Sequence, residues 1–316
     1  MDFDQPGMFT RAEALAAGYT DDDLRRGRAA RQIIAIRRGY YIRADLYAKM
    51  TATEQHSMLA RAVYQDSGAQ AVLSHVSAAV LHGMDVWKLP LDKVNLTIGR
   101  SYASKKGRRR VLHGTAVTPD ECTTVDGLRV TKPARTIIDV ARSSPLEQSI
   151  CVGDYALHHR LTTTAELDAA LKSALGRTGI GRARRAVGLM SAQSESIGES
   201  RSRLLLGDIG ISPPLSNQWV YDDNGRFVAR VDFLWPEKGV VGEFDGKVKY
   251  RSRVAKEVIA EKNRENRLID LGWTVVRWDW DELEAHQILR ARIEAAFGRA
   301  ARHAAPGGAF YNNRLP

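Results

Sequence analysis

The chain has 316 residues, long enough for two or more domains that each bury their own core. Its composition is that of a globular protein with no apolar run of membrane-spanning length, and two cysteines, Cys122 and Cys151, are too few for a disulfide framework or a zinc site. The net charge of +10 is uneven: +1 falls on residues 191–316, leaving +9 on residues 1–190, so a basic part suited to a polyanion precedes a near-neutral part that carries clustered acids. The N-terminus, Met-Asp-Phe-Asp-Gln-Pro-Gly, has neither the basic nor the apolar region of a secretory leader, which points to the cytoplasm.

The first 48 residues predict two short helices and a hairpin. Thr10 followed by Glu13 is a capping box for a helix that Gly18 ends, and Thr20-Asp21-Asp22-Asp23 starts a second one. Gln32 to Ile42 reads as two strands around an Arg-Arg-Gly turn. Helix, turn, helix and basic hairpin make a winged helix-turn-helix. Its wing offers Arg37 and Arg38 to phosphates, and Arg25, Arg26 and Arg28 cluster near the end of the second helix. This stretch resembles the N-terminal winged helix of AbiEi-type antitoxins, and the resemblance implies DNA binding and repression of an operon within a toxin–antitoxin system.

Residues 49–190 predict a mixed α/β middle domain, with helices over Glu54–Ser67 and Ser74–Leu81 and a strand over Val94–Ile98. The runs Ser74 to Gly83 and Lys132 to Asp139 also resemble the middle region of AbiEi-like proteins, without implying a catalytic role. His75 and His82, seven apart, read as satisfied histidines rather than metal ligands. The densest charge block is Arg100 to Arg110, in which Lys105, Lys106, Arg108, Arg109 and Arg110 extend the phosphate footprint.

Past residue 190 the informative residues are acids. Asp232 lies in Val228–Trp235, and Glu243 and Asp245 in Gly239–Gly246; both runs read as strands bounded by Asn224-Gly225 and Pro236. Side chains alternate along a strand, so Glu243 and Asp245 share a face that Asp232 on a neighbouring strand can meet. Glu199 joins them from a helix over Ser194–Leu206, where the competing reading is an exposed stripe of Glu195, Glu199 and Arg203. Carboxylates grouped in this way suit Mg²⁺ or Mn²⁺. A helix over Ala255–Leu271, a strand over Trp273–Trp278 and a closing helix over Asp281–Arg299 complete the order α-β-β-β-α-β-α.

Taken in sequence, Glu199-Ser200, Arg230-Val231-Asp232, Glu243-Phe244-Asp245-Gly246, Glu261 to Glu265 and Leu271-Gly272-Trp273 resemble the Vsr-like branch of the PD-(D/E)XK nucleases. The resemblance spans about residues 194–297. It implies a restriction-endonuclease-like α/β domain that hydrolyses DNA phosphodiesters, with Asp232, Glu243 and Asp245 on the metal and Glu199 and Lys262 as further catalytic groups. The superfamily usually carries a lysine where this chain has Asp245, so the positive group falls to Lys262, Arg264 or Lys247; Lys249 and Tyr250 stand where relatives often have a histidine.

The expectation is therefore an α+β multidomain protein, divided into residues 1–48, 49–190 and 191–300 with a flexible tail over 301–316. Its function is DNA binding coupled to a metal-dependent endonuclease; the alternative is an AbiEi-type regulator with a degenerate nuclease-fold domain. DNA is the expected partner and no membrane contact is expected. A homodimer, and a cognate toxin on the antitoxin reading, are the other partners left open.

Overall fold

The computed structural model describes residues 7–99, 104–246 and 255–313. The chain is an α+β protein, with three sheets among the described residues, and is divided into two compact units. The first comprises Met1–Ala156 and Arg160–Leu189, and the second Leu157–His159 and Met190–Pro316. Among the described residues no helix is long and apolar enough to cross a membrane.

The first unit begins with the helices Arg11–Ala16 and Asp21–Ala29. Each starts with a capping box, Thr10 with Glu13 and Thr20 with Asp23, which satisfies two of the N–H groups that a helix start leaves open. They pack on a three-stranded sheet ordered Phe9–Thr10, Tyr40–Arg43, Ile33–Arg37, around Phe9, Ala14, Leu24 and Ile33. Gly39 makes the turn between the last two strands at φ +83°, which a glycine adopts without strain.

The sequence divides residues 1–48 from 49–190, but the two parts share a core. Ile36 and Ile42 of the small sheet pack with Leu59, Val63, Leu73, Leu96 and Val130. Those residues belong to the helix Ala52–Gln65 and to a six-stranded mixed sheet. Its strand order is Lys105–Lys106, Arg110–Gly114, Val94–Ile98, Val72–Leu73, Leu128–Thr131, Cys122–Val125. Asp139, fully buried on the helix Pro133–Ser143, is held by Arg135 at 2.8 Å and Arg142 at 3.0 Å, as a buried charge requires.

The second unit is a five-stranded sheet ordered Thr274–Asp279, Val240–Asp245, Phe227–Trp235, Leu215–Tyr221, Ala309–Tyr311. Only the pair Val240–Asp245 with Thr274–Asp279 is parallel, and the helix Ala255–Asp270 makes the crossover that a parallel pair needs. One core cluster, around Phe233, Trp235 and Trp278, packs with Leu289 and Ile293 of the helix His286–Ala300. A second, around Val231, Leu234 and Val241, packs with Leu268 of the crossover helix. Within the segment assigned to a tail, Ala309–Tyr311 pairs with Trp219–Tyr221 as an edge strand.

The helix Ile197–Asp208 approaches this sheet closely at Gly198, where an added Cβ would lie 1.9 Å from Cε1 of Phe244. Gly198→Ala is expected to destabilise the protein by about 1–3 kcal/mol, the usual cost of forcing a methyl into a packed site. Urea unfolding of the variant beside wild type measures it.

Candidate functional site

Two arrangements bring functional side chains together, one in each unit. In the second unit the determining feature is where two strands part. Phe227–Trp235 pairs antiparallel with Val240–Asp245 through Trp235–Val240, Leu234–Val241 and Phe233–Gly242, and there the register ends. The next residue on one strand is Asp232, and its Oδ2 accepts the backbone N–H of Phe244 at 2.8 Å. A carboxylate thus takes up an N–H that has left the ladder. Asp232 is half-buried and Glu243, its neighbour across the parting, is 6% exposed.

Cations from two elements face the acids. Arg264 on the crossover helix comes within 3.5 Å of Glu243 Oε2, and Arg277 on Thr274–Asp279 within 3.3 Å of Asp245 Oδ1. Arg277 also lies 3.2 Å from Glu265 Oε2. Arg264 is one of the three cations the sequence offers in place of the superfamily lysine. Lys262 is exposed, and Lys247, Lys249 and Tyr250 lie outside the described residues.

Glu199 is buried, but protein donors engage both of its carboxylate oxygens. Oε1 accepts the Ser196 hydroxyl at 2.8 Å, and Oε2 accepts the Glu195 N–H at 2.9 Å and the Asn217 side-chain amide at 2.8 Å. The competing stripe of Glu195, Glu199 and Arg203 does not form either, because Glu195 precedes the helix, which starts at Ile197. Glu195 pairs with Arg230 on the Asp232 strand instead, and that guanidinium holds its carboxyl below the ordinary carboxylate range. Among the described residues no three acids, histidines or cysteines converge as metal ligands. The physical reason is that Glu199 is spent on its helix start and Asp245 faces Arg277, which leaves Asp232 and Glu243 as the pair flanking the parting.

Sequence reasoning missed two residues here. Arg277 was visible only as part of an apolar strand. Asn217 adopts φ +53° within a strand, a conformation that asparagine tolerates better than most side chains. Its signal was Ser216-Asn217-Gln218, three polar residues that interrupt an otherwise apolar strand.

The first unit holds a basic cavity of about 640 Å³ whose lining includes Arg28, Arg37, Arg38, Arg108, Arg109 and Arg110. The hairpin turn and the basic loop, about seventy residues apart in the chain, therefore converge. Arg37 is already engaged with Asp66 at 2.7 Å. Four residues expected at the same surface are not in the cavity wall: Arg25 and Arg26 pair with Asp22 and Asp23 on their own helix, and Lys105 and Lys106 form a short exposed strand.

Asp232→Ala removes the acceptor of the Phe244 N–H and is expected to cost about 1–3 kcal/mol, the penalty of an unsatisfied buried polar group. Asp232→Asn keeps a carbonyl oxygen in that place, so its midpoint of urea unfolding should stay near that of wild type.

No protein-family model matches the chain. It is similar to uncharacterized proteins of two strains of Mycobacterium tuberculosis, 28% identical over 259 residues, which span 79% of this chain and 90% of each relative.

Proposed function

We propose that the chain is a DNA-binding protein in which a winged helix-turn-helix and the basic loop beside it grip the phosphate backbone. On this reading the second unit is a restriction-endonuclease-like domain of the Vsr-like type that hydrolyses DNA phosphodiester bonds. The observation that carries the proposal is the cavity at which Arg28, Arg37, Arg38, Arg108, Arg109 and Arg110 meet. Clustered arginines on one surface are the footprint of a phosphate backbone, since the guanidinium fork matches phosphate geometry and each neutralised phosphate releases counterions.

The donor set at the strand parting suits a hard divalent cation. Asp232 and Glu243 are carboxylates on neighbouring strands, and Glu243 is buried deeply enough to need a compensating positive charge. These two would hold Mg²⁺ or Mn²⁺, with Asp245 as an additional ligand or orienting group. When bound, the metal polarises a phosphoryl oxygen and lowers the pKa of an attacking water. Arg264, beside Glu243, would supply the positive group in place of the superfamily lysine. Ser196, the Glu195 N–H and Asn217 occupy both oxygens of Glu199, which makes Glu199 a structural partner of the helix start rather than a ligand.

One observation favours a second reading, an AbiEi-type transcriptional regulator with a catalytically degenerate nuclease fold and a cognate toxin as partner. Arg264 and Arg277 already neutralise Glu243 and Asp245, so these acids have structural counter-charges without a metal.

A single experiment separates the readings: titration of duplex DNA over a range of salt, followed by addition of Mg²⁺ or Mn²⁺ to supercoiled plasmid. Wild type is expected to bind with a steep salt dependence, and Arg38→Ala to lower the log–log slope by about 1. Nicking by wild type that is lost in Asp232→Asn supports the nuclease. Salt-dependent binding without cleavage supports the regulator, and a slope near zero refutes both.

A further inference from the structure

The first unit contains a second cavity, of about 320 Å³, that the DNA reading does not use. Its wall includes His75, Lys93, Asn95, Lys106, His113 and Ser144, with Asp92 as its acid. The volume lies at the small end of the range for sites that take low-molecular-weight ligands.

Three histidines near this region differ in how they are held. His56 spans Leu91 O at 2.8 Å and the Ser77 hydroxyl at 2.9 Å, and His82 meets Thr131 O at 2.7 Å; both have structural partners. His75 is different. Its backbone sits at φ +52°, a conformation that costs a non-glycine residue free energy and persists only where the surroundings impose it. Its ring stacks on that of His113 at 3.7 Å between centroids, and the residue is 6% exposed.

The Thr97 hydroxyl donates to Ser74 Oγ at 2.8 Å, and the same oxygen lies 2.9 Å from His75 Nδ1. Among the described residues that is the hydrogen bond of the His75 ring, and the buried Asp139 carboxylate interacts with the ring electrostatically. On His113, Nε2 donates to Asn95 Oδ1 at 2.9 Å. Burial, then the neighbouring His75, push the His113 imidazole down to about 3, and burial also lowers His75, against the Asp139 carboxylate that raises it.

Around one cavity the fold therefore gathers the His75 imidazole, the Ser144 hydroxyl, and the ammonium groups of Lys93 and Lys106. Among the described residues neither lysine has an ion-pair partner within 4.0 Å, and the Ser144 hydroxyl has no hydrogen bond. Two lysines against Asp92 leave the wall net positive. Two ammonium groups and a hydroxyl, beside an imidazole, complement an oxyanion with several acceptor oxygens.

We infer that this cavity is a binding site for a small phosphate monoester, such as a nucleoside monophosphate, separate from the arginine-lined cleft. Lys106, which the sequence assigns to the DNA footprint, belongs to this site. The strained backbone of His75 holds its ring in place.

The test is calorimetric titration of the full-length protein with inorganic phosphate and with a nucleoside 5′-monophosphate. The variants are Lys106→Ala, His75→Asn and, in the other cavity, Arg38→Ala. Asparagine tolerates the left-handed backbone at position 75, and Lys106 is exposed, so both cavity variants are expected to fold. Wild type should bind the monophosphate, each cavity variant should weaken binding by about tenfold or more, the loss of one charge-assisted or buried hydrogen bond, and Arg38→Ala should leave it unchanged. Saturating duplex DNA should not displace the ligand. The inference is overturned by no binding to wild type, by binding that survives both cavity variants, by loss in Arg38→Ala, or by displacement with DNA, which would make the cavity a DNA-phosphate contact.

Discussion

The arrangement of the second unit depends on one interrupted ladder. Two strands pair through Phe233 and Gly242 and then part, which frees a backbone N–H inside the protein, and the Asp232 carboxylate accepts it. An unsatisfied N–H at that depth is costly, so the acid has a structural duty whatever else it does. The parting also sets the surroundings of Glu243: Arg264 faces it from the crossover helix, and Gly198 lets the helix that carries Glu199 press against Phe244 on the same strand. Carboxylates brought close by a split in a sheet have the general form of a cation site, and here protein cations meet two of them.

Much of this was legible in the chain. The apolar runs around Asp232 and around Glu243 announced strands, the turn residues announced their limits, and the second unit follows the expected α-β-β-β-α-β before departing from it. The one closing helix expected over Asp281–Arg299 is split into Trp280–Glu284 and His286–Ala300, and a strand, Ala309–Tyr311, follows. Capping boxes at Thr10 and Thr20 are local chemistry and were readable for that reason. What could not be read is where long side chains end. Arg277 sits beside Glu243 in the parallel register yet reaches Asp245 and Glu265, a choice set by tertiary packing. Glu199 lost its place in the expected cluster because the helix starts at Ile197, and a shift of a few residues turned a ligand candidate into a capping group.

The basic half teaches the same lesson about charge. Arginines counted in a sequence are equivalent, but in the fold Arg25 and Arg26 face the acids of their own helix and Arg37 faces Asp66, while Arg38 and Arg108 to Arg110 converge on one cavity. The turns at 38–39 and 107–109 connect strands of different sheets, so their meeting is a property of the shared core built by Ile36, Ile42 and the six-stranded sheet. The same core places His75 against His113, which are 38 positions apart and reveal no relation in the chain.

The proposed metal site requires Asp232 and Glu243 to hold a divalent cation together, with Glu243 exchanging Arg264 for it. The most direct measurement is Mn²⁺ binding followed by electron paramagnetic resonance, comparing wild type with Asp232→Asn and Glu243→Gln. The account predicts a protein-bound Mn²⁺ signal in wild type that weakens at least about tenfold in either variant, the loss of one charged ligand. A wild-type spectrum indistinguishable from free Mn²⁺, or equal binding by all three proteins, would contradict it and leave the acids as the structural partners of Arg264, Arg277 and the Phe244 N–H.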